Sequence, residues 1–249
     1  MSNVIRPSGL VYASIPRQAH LIFSDAAKGK TLAQVTTSTL FPDNACYLLS
    51  PQAGEEPLLQ QYGGPDAFPN LVRLPIENWA DLKLWMGGHE RLTETDKKSL
   101  SYDLRGVKFD GLRRVVKPGD WLMPDALGDI EDLVADYYFR TIHGKSYAEI
   151  LFEQAMKSEE SSEKTGTLLT NVRAVDQDAF TRMNLMITEA VGWAFSRRSL
   201  NIMVNTPAKE VPKKGDGTPL YNTPAEYATL GYRRDAKGLI NFGVSVVVY

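Results

Sequence analysis

Cysteine is nearly missing from this sequence: Cys46 is the only one in 249 residues. An intrachain disulfide is therefore excluded, and so is a zinc site built on several thiolates. Histidine is almost as scarce, at positions 20, 89 and 143, too widely spaced to suggest a metal cluster. Long apolar runs are lacking too. The richest, Met183–Phe195, is broken by Asn184, Thr188 and Glu189, well short of the roughly 20 apolar residues that span a bilayer. The first ten residues, MSNVIRPSGL, hold no apolar stretch of signal-peptide length. The expected location is the cytoplasm, or a particle assembled there, with no membrane insertion.

Neither sign of charge dominates. The 28 Lys+Arg and 30 Asp+Glu leave a net charge of −2, so polyanion binding by bulk charge is excluded and only local clusters could support it. Hydrophobic residues at 43% and charged residues at 23% exclude a mostly disordered chain. The length reads as a single domain, 1–249. The connection 51–70, with four prolines and three glycines, is where a sub-boundary would fall.

The expected fold class is α+β, with a mixed or antiparallel sheet from N- and C-terminal strands packed on a helical middle. Strands are expected at Leu10–Ala13, His20–Phe23 and Ala45–Leu49. A helix capped by Asn78 presents Trp79, Leu82, Trp85 and Met86 on one face and ends at Gly87-Gly88. Alternation through Leu100, Tyr102 and Leu104, and Asp110-Gly111 between apolar segments, predict strands and a hairpin over 99–118. The stripe Leu127, Ile130, Leu133, Val134, Tyr137 and Tyr138 predicts an amphipathic helix closed at His143-Gly144. Ser146 and Glu149 form a capping box for the next. One long helix, about 176–198, carries apolar residues on most of its circumference and is expected to be buried. Strand alternation resumes at Leu200, Ile202 and Val204, and again from Ile240 to Val248.

Motifs for chemistry are sparse. Ser24-Asp25-Ala26-Ala27-Lys28-Gly29-Lys30-Thr31 ends in the Gly-Lys-Thr of a phosphate loop, whose lysine reaches phosphates and whose threonine binds magnesium. Its first position is Ser24 rather than glycine, and no clean run of four apolar residues ending in Asp is evident, so it reads as an exposed basic turn. Gly144–Ser146 repeats Gly-Lys-Ser, but capping accounts for it. Asp129, Asp132 and Asp136 read as a solvated helix face. Cys46, inside an apolar run, reads as a buried structural thiol. His89-Glu90 opens like a zinc-protease helix, but residue 93 is Thr. His143 reads as a helix-terminal charge.

Basic clusters are the remaining signal. Arg91 to Lys117 holds eight Lys/Arg against four Asp/Glu, and Arg197 to Lys237 repeats that tally, while six acids and no base lie between Asp120 and Asp136. The doublets Arg113-Arg114, Arg197-Arg198, Lys213-Lys214 and Arg233-Arg234 are the candidate contacts to nucleic-acid phosphates. Segregated charge also suits self-association. With no catalytic or metal-ligating residue evident and no cofactor expected, the expectation is a non-enzymatic protein of a repeated oligomer, such as a viral, phage or secretion-type particle or filament. A monomeric or dimeric nucleic-acid-binding protein is the first alternative. The second is a phosphate- or nucleotide-handling enzyme using a degenerate Gly-Lys-Thr loop, with Lys30 and Thr31.

Overall fold

The computed structural model describes residues 4–5, 11–12, 18–24, 29–51, 55–102, 108–153, 155–156, 177–197, 199–210, 232–234 and 245–248. Its centre is a parallel sheet of strands β3 (Ala19–Ser24), β4 (Cys46–Ser50), β5 (Leu71–Pro75), β6 (Trp121–Pro124), β7 (Asn201–Glu210) and β9 (Ser245–Val248), in the order β5-β4-β6-β7-β3-β9. Every neighbouring pair along that path is parallel. Among the described residues, antiparallel pairing is confined to the short strands β1 (Val4–Ile5) and β2 (Val11–Tyr12), and to β8 (Tyr232–Arg234) on the far end of β7.

The fold is therefore α/β, and the expected mixed or antiparallel sheet is corrected. Helices separate successive central strands, as parallel connections require. After β3 comes α1 (Lys30–Leu40), and after β4 comes α2 (Glu56–Gln61), which lies within the 51–70 connection. Between β5 and β6 lie α3 (Trp79–Gly87), α4 (Glu94–Ser99) and α5 (Leu112–Val115). Between β6 and β7 lie α6 (Leu127–His143), α7 (147–153) and α8 (Gln177–Ser196).

Burial on both faces explains the topology. In β4, Cys46 and Leu48 pack with Trp121 and Met123 on one side, while Leu49 joins Leu21, Leu122, Ile202 and Val204 on the other. Strands covered on both faces need no polar face, which is the pattern of a parallel sheet. Helix α1 contacts β3 and β7, and α3, α6 and α8 pack together with the second face. No helix among the described residues is long and apolar enough to cross a membrane.

Several local expectations hold. Asn78 caps α3, accepting from the amides of Ala80 and Asp81, and Asp81 completes the box. Gly144 ends α6 in the left-handed region, and Ser146 and Glu149 exchange the expected capping bonds. The hairpin at Asp110-Gly111 is corrected. Gly111 instead caps α5 at φ 80, and a methyl on it would fall 2.3 Å from the Gly88 nitrogen. The strand expected through Leu100 and Tyr102 is corrected as well: neither lies in a strand, and residues 103–107 lie outside the described residues. Just before them, Thr93 and Asp96 form a capping box that opens α4. The long helix α8 buries Met183, Ile187, Val191 and Ala194 but leaves Leu185 64% exposed, so it is amphipathic rather than enclosed.

Candidate functional site

Parallel strands gather their C-terminal ends at one edge of a sheet, where α/β proteins place ligands. At that edge β3 ends at Ser24, β4 at Ser50 and β6 at Pro124, followed directly by Asp125, while Asn205 and Thr206 lie on β7. Helix α1 opens beside them, after Gly29, whose φ of 79 suits a residue without a side chain. That opening has no side-chain cap and no acid in its first turn, and Lys30 and Thr31 are its first residues. A helix start of this kind presents amide donors and a positive partial charge.

The sheet edge and the helix are tied together by side chains. The Thr31 hydroxyl donates to Asp125 Oδ2 at 2.9 Å, and Asn205 Nδ2 donates to Asp125 Oδ1 at 3.0 Å. Gln34, fully buried, donates from Nε2 to the carbonyls of Pro124 and Met203, both at 3.0 Å, and so fixes α1 against the end of β6 and the adjoining part of β7. The Asp125 amide donates to the Leu49 carbonyl at 2.8 Å, joining β6 to β4. Immediately after Asp125, Ala126 sits at φ 57. A non-glycine residue held there stores about 1 kcal/mol or more of strain.

Charge at this edge is poised rather than neutralised. Burial pushes the Asp125 carboxyl above the usual range; bonds from Asn205 and Thr31 and the charge of Lys30 oppose this, while the Glu55 carboxylate adds to it. Glu55 is itself 1% exposed, accepting from the Ser50 hydroxyl at 2.7 Å and from Arg73 Nε at 3.0 Å. Among the described residues, two buried acceptors, Asn205 Oδ1 and Gln34 Oε1, have no partner. Unsatisfied buried acceptors are rare and call for a donor or a cation.

No family profile, curated protein or solved structure matches the chain.

The structure treats the expected residues unevenly. Lys30 and Thr31 lie at the head of α1, not on an isolated turn; residues 25–28 lie outside the described residues. Arg113 and Arg114 are on α5, and Arg114 pairs with Glu90 at 2.7 Å. Arg197 donates to the carbonyls of Arg113 and Val116, each at 3.2 Å. Arg198, Lys213 and Lys214 lie outside the described residues, and Arg233 and Arg234 are on β8. Cys46 is buried, and its thiol is pushed up to about 12 by burial and then by Asp120. His89 Nδ1 accepts from the Phe109 amide at 2.9 Å, a structural role.

Asp125, Asn205 and Glu55 escaped the sequence reading. One signal was present: Trp121-Leu122-Met123-Pro124-Asp125 is a run of four apolar residues ending in Asp, directly after the turn Lys117–Asp120. Pro124 obscured it, since proline in a central strand breaks the ladder. Here it is the last residue of β6, and its carbonyl is used by Gln34.

Proposed function

We propose that the protein binds a nucleoside triphosphate with magnesium at the head of α1 and hydrolyses it. The observation that carries this reading is the Thr31–Asp125 hydrogen bond, which joins the Gly-Lys-Thr segment to an aspartate at the tip of a neighbouring parallel strand. Strand β3, four intervening residues, then Gly29-Lys30-Thr31 opening a helix is the context that a phosphate loop requires. Ser24 replaces the usual first glycine, but it lies in strand β3, paired with Pro207, rather than in the loop itself.

The residues fit magnesium on their chemistry. Hydroxyl, carboxylate and amide oxygens are hard donors. Among the described residues no group of three or more His, Cys, Asp and Glu could form a metal cage. Magnesium seldom uses one, being held by one or two protein oxygens together with substrate phosphates. Thr31 and Asp125 would hold the ion, which would draw charge from the phosphates. Lys30 and the first amides of α1 bind the phosphate oxygens, and Asn205 keeps Asp125 oriented. Glu55, buried on the same edge, is the carboxylate assigned to accept the proton of the attacking water. That water's oxygen forms the new bond to the terminal phosphorus as the bridging oxygen leaves with the diphosphate.

The test is phosphate release from ATP and GTP in magnesium. Release that disappears in Lys30→Ala and falls at least 100-fold in Glu55→Gln, with nucleotide still bound by the latter, supports the reading; nucleotide binding without release removes the hydrolytic half.

A further inference from the structure

Away from the sheet edge, α3, α6 and α8 leave a cavity of about 340 Å³. Its walls combine two chemistries. Trp79, Tyr137 and Trp193 supply aromatic surface, with Trp79 and Tyr137 at a centroid distance of 5.8 Å and Tyr137 37% exposed. Lys83, Arg91 and Arg113 supply positive charge against one acid, Glu189.

The cations are placed by the structure. Lys83 pairs with buried Asp96, which also accepts from the Thr93 amide and hydroxyl, both at 2.8 Å. The Arg91 stem lies across Gly87, where a methyl group would fall 2.8 Å from Arg91 Cγ. Among the described residues neither Arg91 nor Arg113 has an ion-pair partner, and both are exposed. Beyond the cavity, Arg197 on the Arg113 and Val116 carbonyls continues the positive edge.

We propose that this cavity binds single-stranded nucleic acid, one base entering against the aromatic side chains while Arg91, Arg113 and Lys83 hold successive phosphates. A strand suits it better than a free nucleotide because three cations line the cavity, more than a single phosphate requires. A base fits a space of this size and a duplex does not. Stacking on aromatic rings with a cationic track is the general device for sequence-tolerant binding of single strands. This site does not depend on the proposed nucleotide site and concerns different residues.

Fluorescence anisotropy of a labelled oligothymidine strand, without nucleotide, tests it. The wild-type protein should bind with an affinity that falls as salt rises. The exposed-site variant Arg91→Glu/Arg113→Glu should lose at least tenfold, and Tyr137→Ala and Trp193→Ala about tenfold each, with unchanged circular dichroism. Thymidine monophosphate and a duplex of equal length should compete poorly. The proposal is overturned by no binding, by full affinity in the arginine variant, by equal binding of duplex or mononucleotide, or by displacement with polyglutamate at lower concentration than unlabelled strand.

Discussion

Thr31 and Asp125 are 94 residues apart in the chain, yet the hydroxyl of one donates to the carboxylate of the other at 2.9 Å. This contact closes the gap between the first helix and the end of β6, the fourth strand of the parallel sheet in chain order. It leaves a buried carboxylate with a raised pKa beside acceptors that lack partners among the described residues. Sites of this kind trade stability for binding.

Asp125→Asn should show that trade. Because the folded carboxyl titrates above its unfolded value, the folded state binds more protons between those two values, and stability falls as pH rises through that window. The amide cannot ionise, so the variant should lack this slope and equal or exceed the wild-type melting temperature at neutral pH. Its nucleotide affinity in magnesium should drop at least tenfold. Thermal melts across pH, paired with titration calorimetry, would expose a contradiction if the variant melted well below wild type without the slope changing.

Glu55 and Arg73 form a pair in which the carboxylate is 1% and the arginine 31% exposed. Removing only the arginine leaves a buried charge with the Ser50 hydroxyl. Arg73→Ala should cost about 1–3 kcal/mol, below the cost for a fully buried pair because Arg73 is partly solvated. Adding Glu55→Gln should recover part of that loss. Urea unfolding of the two single variants and the double variant measures the coupling, and strictly additive losses would contradict it.

Gly88 and Gly111 meet backbone to backbone. A methyl on Gly88 would fall 2.5 Å from the Asp110 carbonyl carbon, and one on Gly111 would fall 2.3 Å from the Gly88 nitrogen, at φ values of 82 and 80. Either alanine substitution should destabilise by roughly 3 kcal/mol or more. An unchanged denaturation midpoint in either variant would show that the α3–α5 junction is not packed as described.

Cys46 should resist thiol reagents in the native protein. Its thiol is pushed up to about 12 by burial and by Asp120, so almost no thiolate exists near neutral pH. Labelling with a chromogenic disulfide should be slow in buffer and complete within minutes in denaturant. Rapid stoichiometric labelling of folded protein is the contrary result.

Local signals in the sequence were legible because they are chemically self-contained. Caps at Asn78 and Ser146, the stripe of α6 and the turn at Gly144 each depend on residues within a few positions. The sheet was not, because alternation at Leu200, Ile202 and Val204 reads as a one-faced strand until Met203 is seen packing on the opposite side. Helix α1 hid the site: its Thr-rich stretch has weak helix propensity. Thr36 and Thr37 satisfy their hydroxyls on the Leu32 and Ala33 carbonyls one turn back. Without that helix the Gly-Lys-Thr segment looks like a turn. Asp125 and Asn205 meet only through the register of β6 beside β7, which no short window of sequence contains.

The central claim is that the head of α1 binds nucleotide phosphates, and titration calorimetry of ATP and GTP tests it most directly. The expected result is saturable binding in magnesium that is lost with chelator and lost in Lys30→Ala at an unchanged melting temperature. Wild-type protein that takes up no heat with either nucleotide, or a Lys30→Ala variant that binds as tightly as wild type, would contradict it.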